Sequence, residues 1–162
     1  MGEKEEKEIN LEEEYNKLKQ KYTLPSFKEI SEDFDIEKVQ DKESTFLLRE
    51  IRRTINEKTS AYLHLFENLI NPNSPPIFIF TLIRNISIED KETIKQLYKE
   101  LSKTQIQVMK LDTIYKEESE AKFIKEIFTI WQGVKKKTYK LIETLESNMD
   151  NDDISSTKSY FN

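Results

Sequence analysis

Three of the four arginines in this 162-residue chain, Arg49, Arg52 and Arg53, fall within five residues of one another. A guanidinium offers a rigid fork of donors that fits phosphate or carboxylate, which a lysine ammonium does not. With Lys58 they form a candidate contact for RNA phosphates or for an acidic partner. The competing assignment is internal pairing with Glu50, Glu57 or a neighbouring helix. It is favoured by the 31 acidic residues and the net charge of −5. A second basic cluster, Lys135, Lys136, Lys137 and Lys140, contains Tyr139 and lies beside Trp131. Basic residues interleaved with aromatics suit nucleic acid, whereas charge runs on helices are usually solvated faces.

Other chemistry is thinly represented. The single histidine, His64, has no Ser or Cys nucleophile motif beside it, so a catalytic triad is not indicated. Without cysteine, and with one histidine, the chain lacks the usual ligand set for zinc. Glu12-Glu13-Glu14 and the acidic run Asp150 to Asp153 lack the glycine turn and ligand spacing of an EF-hand loop. Two glycines, Gly2 and Gly133, cannot build a phosphate-binding loop. These readings predict no catalytic residues, no metal and no cofactor, and a protein that is not an enzyme.

The last residues, Ser159-Tyr160-Phe161-Asn162, follow the acidic stretch. Tyr160 and Phe161 are candidate anchors of a docking tail that orders on binding. The alternatives are a disordered end or a strap on the protein's own surface. A sliding-clamp box is not matched, because its Gln is missing and Thr157 stands where a branched aliphatic is needed.

The elements that position these residues are predicted to be helices. Charged residues make up 35% and apolar ones 36%, and few positions can break a helix. Leu11, Tyr15, Leu18 and Tyr22 mark one face of a helix from about Asn10 to Tyr22, closed by Pro25. Ser26 with Glu29 has the form of a capping box for a short helix to Phe34. A long helix spans about 42–70, with Leu48, Ile51, Ile55, Tyr62, Leu65, Phe66 and Leu69 on its apolar side. It extends for roughly 40 Å at 1.5 Å per residue.

Asn71-Pro72-Asn73-Ser74-Pro75-Pro76 is a loop. The segment Ile77 to Ile83 is left open between a short buried helix and an extended strap, since no second strand-like segment is present to pair with it. Ser87 with Asp90 starts a helix to about Leu111, and a last helix runs over about 120–147. Phe123 to Trp131 is its most buried part, and Gly133 and Thr138 thin its stripe for close helix approach. The prediction is all-α: a mainly antiparallel bundle of four to five helices, with one domain over 9–147, a charged segment 1–8 and a tail 148–162.

No apolar signal region opens the chain, and the longest apolar run is too short to span a bilayer, so a cytoplasmic protein with no membrane contact is expected. Four pieces carry a resemblance: Tyr22-Thr23-Leu24-Pro25-Ser26-Phe27, Leu48-Arg49-Glu50-Ile51-Arg52-Arg53, Phe123-Ile124 with Trp131, and Tyr160-Phe161. In order and spacing the chain resembles a group of small all-helical archaeal proteins with no assigned activity. That resemblance implies an archaeal, cytosolic origin and transfers no function. The Arg-rich N-terminal helices and the helix start Ser87-Ile88-Glu89-Asp90 are also similar to the helical domains of archaeal GINS replication subunits, whose small β domain has no counterpart here. The functional expectation is a non-enzymatic, macromolecule-binding protein whose partner is another protein. The alternative is an RNA-, ribosome- or replication-associated factor that uses the two basic clusters.

Overall fold

The computed structural model describes residues 10–41, 45–73 and 76–158. The architecture is all-α. Six α-helices and one 3-10 helix follow in order, with no strand among the described residues. They are α1 (Leu11–Tyr22), α2 (Phe27–Phe34), the 3-10 turn (Ile36–Asp41), α3 (Leu47–Ile70), α4 (Ile77–Ile83), α5 (Ile88–Thr113) and α6 (Glu117–Lys158).

Local chemistry sets most of the helix ends. The Asn10 side chain accepts from the Glu12 N–H, and α1 closes on Thr23 in the left-handed region at φ 56°. The capping box at Ser26 and Glu29 is formed in both directions. At Ser87 the hydroxyl accepts from the Asp90 N–H, while the Asp90 carboxylate accepts from the Ser87 N–H. α3 begins at Leu47, later than its predicted start. Thr45 and Phe46 are not helical, residues 42–44 lie outside the described set, and the Phe46 carbonyl accepts from the Glu50 N–H. α6 continues past Ser147 to Lys158, so the first part of the predicted tail is helix. Tyr160 and Phe161 lie outside the described residues.

The residues group into two compact units. One holds the described residues up to Lys58 together with Gln107–Phe128. The other holds Thr59–Ile106 and the described residues from Thr129 onward. In the first unit α1, α2 and the 3-10 turn pack around Tyr15, Ile30, Phe34 and Ile36, all buried. The short turn between Thr113 and Glu117 sends α6 back antiparallel to α5, and Gln107 Nε2 donates to Glu126 across that pair at 3.3 Å. In the second unit Trp131 is buried, with its ring edge-on to Tyr62 at 5.3 Å. Leu48, Ile51 and Ile55 on the apolar side of the long helix are buried, as are Ile127 and Trp131 in the stretch expected to be most buried, and Leu97, Leu101 and Leu141 join them. Gly133 differs from expectation: nothing lies within 4 Å of a Cβ built on it, so it serves no close helix approach.

Candidate functional site

The segment Ile77 to Ile83 forms helix α4 of the second unit. Pro76 precedes it with a carbonyl that accepts from the Phe80 N–H, and the Thr81 hydroxyl donates back to the Ile77 carbonyl. Two turns of helix can bury only one side. Ile79 and Leu82 take that side, while Ile77 stays 88% exposed, Phe78 62% and Phe80 59%. Of the two expected forms, a short buried helix or an extended strap, the segment takes the helix, but only part of it is buried: half of its apolar residues face solvent.

Beside α4 lies an apolar groove of about 360 Å³, lined entirely by residues of the second unit. Phe78 and Leu82 of α4 form one wall, and Leu65, Phe66 and Leu69 of α3 form another. Leu141, Leu145 and Met149 recur along α6 at four-residue steps and, with Ile142, form the third. The volume falls within the range of about 300–1,000 Å³ typical of binding pockets. Two polar side chains reach the lining. Thr138 is buried, and its hydroxyl has no hydrogen-bond partner among the described residues. Glu146 stands exposed at the rim, close in sequence to exposed Glu143 and Asp150. The Asn148 side-chain amide donates to the Asn85 carbonyl at 2.9 Å, which ties α6 to the turn after α4.

The arginine cluster sits in the first unit and is committed internally. Arg52 is 1% exposed; its Nε donates to Glu120 Oε2 at 2.6 Å and its Nη2 to Asp112 Oδ1 at 2.8 Å. Burial works against its charge, but the hydrogen bonds to Glu120 and Asp112 outweigh burial and raise its pKa. The Arg49 guanidinium lies over the Tyr115 ring at 4.7 Å and the Phe46 ring at 5.3 Å, with Nε 3.9 Å from Glu120 Oε1. Arg53 donates to Glu50 at 3.0 Å, and Lys58 donates to the Asp33 carbonyl. As a phosphate contact the cluster is therefore corrected at Arg52, whose donors are enclosed with carboxylates. The partners Asp112 and Glu120 were not singled out in the sequence, and no local spacing marks them.

The lysine cluster belongs to the second unit. Lys135, Lys136, Lys137 and Lys140 are exposed, Lys137 pairs with Glu100 at 3.2 Å, and Tyr139 is exposed among them. The two basic clusters thus belong to different units. His64 is exposed, with Nδ1 3.5 Å from a Glu67 carboxylate oxygen. Among the described residues no group of three or more His, Asp or Glu side chains could hold a metal ion, and no helix is long and apolar enough to cross a membrane. No family model, curated protein or solved structure matches the chain.

Proposed function

We propose that this chain is a non-enzymatic helical protein-interaction module whose partner, another protein, seats on α4 and the adjoining groove. The exposure of Ile77, Phe78 and Phe80 on one uncharged two-turn helix supports this reading most strongly. Exposed apolar side chains beside a groove are characteristic of interaction sites. Full burial of an exposed Phe side chain contributes about 1.5–3 kcal/mol, so covering the exposed parts of Phe78 and Phe80 would each contribute a fraction of that, offset by the cost of association. An archaeal, cytoplasmic setting belongs to the same proposal and rests on the resemblance and on composition.

A second reading keeps an RNA- or ribosome-associated role. Tyr139, exposed between Lys135–Lys137 and Lys140, is the feature that favours it, since a stacking ring among ammonium groups suits single-stranded RNA. Purification from native cells without nuclease separates the two. A stoichiometric protein that is lost in a Phe78→Asp variant supports the first reading. RNA that co-purifies, dissociates steeply with salt and is lost in Lys136→Glu/Lys140→Glu supports the second.

A further inference from the structure

Among the basic residues clustered on α3, Arg49 is set apart by what it does not bond. Arg52, Arg53 and Lys58 each donate to an acceptor of the same unit, whereas Arg49 makes no hydrogen bond to a described residue. Its Nε is enclosed without a partner, and so is Glu120 Oε1, 3.9 Å away. A charge-assisted hydrogen bond would bring such a pair to about 2.7–2.9 Å. The guanidinium lies instead over two rings, Phe46 and Tyr115, whose centres are 4.4 Å apart. A guanidinium whose face rests on a ring keeps the donors in its plane available. The Nη end is the open one, since the side chain is 22% exposed and Nε is its only enclosed unpartnered nitrogen.

We infer that Arg49 receives a carboxylate of a partner protein, carried beside an apolar group that covers Phe46. This surface belongs to the first unit and goes beyond the α4 groove, on which it does not depend. A guanidinium fork pairs with a carboxylate through two parallel hydrogen bonds. The ring contacts hold the fork in place before binding, which lowers the cost of ordering it. Arginine together with aromatic residues is the composition in which binding energy concentrates at protein interfaces, and Phe46 is exposed. The surrounding charge favours a lone carboxylate over nucleic acid. Asp112 stands near the end of α5, and Glu117, Glu118 and Glu120 open α6. A polyanion laid across that turn would meet their combined charge, whereas a single carboxylate at the Nη edge meets the guanidinium first.

Side-chain NMR on the full, isotopically labelled chain tests this, because four arginines give four Nε–Hε resonances and Arg49→Lys assigns that of Arg49. The probes are N-acetyl-phenylalanine, its neutral amide, and N-acetyl-aspartyl-phenylalaninamide, which presents the carboxylate as a side chain. Both acids should shift the Arg49 resonance saturably, and the amide should bind about tenfold more weakly. The tighter of the two acids identifies the source as a chain terminus or an acidic side chain. Arg84, exposed in the other unit, is the internal reference and should not respond. Arg49→Gln, read at the Tyr115 backbone amide, should abolish the preference for acid over amide, and the wild-type titrations decide the question even if that variant fails to fold. Equal shifts at Arg49 and Arg84, equal affinities of acid and amide, or no shift at Arg49 would each overturn the inference. So would an oligouridylate that moves Arg49 at a lower concentration than either acid, which would make the fork a phosphate contact. Phe78→Asp should leave all these titrations unchanged, so the α4 reading stands or falls separately.

Discussion

The Arg52 Nε and the Glu120 Oε2 lie 2.6 Å apart, with Arg52 1% and Glu120 0% exposed. Asp112 is the second acceptor, at 2.8 Å from Nη2. A charge pair taken out of water is stabilised only by its partner and its hydrogen bonds, so removing one member leaves the other desolvated and unmatched. Arg52→Met and Glu120→Leu are each expected to cost about 3–5 kcal/mol in urea denaturation, with the double variant much less destabilised than the sum. Additive losses would show that the two charges are not coupled. Surface arginines reserved for phosphate would tolerate Arg52→Glu without a fall in melting temperature; here that change is expected to unfold the first unit.

The caps and the ion pair show which parts of the fold are legible in sequence. Ser26 with Glu29 and Ser87 with Asp90 are three residues apart, so the pattern and the contact coincide. Arg52 and Glu120 are 68 residues apart, and nothing local distinguishes Glu120 from the other acidic residues. The α4 segment fails for another reason. Its residues suit a strand or a helix equally, and which of them face solvent depends on how much neighbouring surface is available to cover them. The groove was invisible because its walls come from α3, α4 and α6, although each apolar repeat is readable by itself. The length of α6 was underestimated because its apolar stripe ends near Leu145 while the helix continues.

Gly133 lies exposed within α6, with open space where a Cβ would stand. Glycine in a helix interior is less favourable than alanine by about 1 kcal/mol. Gly133→Ala is therefore expected to raise stability by about that amount in chemical denaturation. A loss of stability would mean that close packing at this position matters after all.

Acid should weaken one contact of the first unit selectively. Hydrogen bonds from Lys21 and Tyr22 hold the Glu117 carboxyl below the ordinary carboxylate range. A group whose folded pKa is depressed contributes stability above its unfolded pKa and loses it as pH falls through the folded value. The hydrogen bond to Glu117 raises the Lys21 pKa, so the lysine's share is complete at neutral pH and is lost only in strong alkali. Glu117→Gln should melt below the wild-type protein at neutral pH, and the two should converge in acid below the carboxylate range. A deficit independent of pH would assign it to packing instead.

Exposure on α4 divides its residues into two energetic classes. Phe78 is mostly solvated, so Phe78→Ser should leave stability within about 0.5 kcal/mol. Leu82 is buried beside it, and Leu82→Ala should cost about 2–5 kcal/mol. Calorimetry on the two variants distinguishes them; equal losses would mean that α4 is packed on all sides.

The protein-binding account is tested most directly by photo-crosslinking in native cells. A photoactivatable phenylalanine at position 78 or 142 stands in the groove, and one at Lys91, exposed on α5 in the same unit, serves as control. The expected result is one discrete protein adduct from positions 78 and 142 and none from 91. Adducts to RNA from a probe at Tyr139, with no protein adduct from the groove positions, would contradict it.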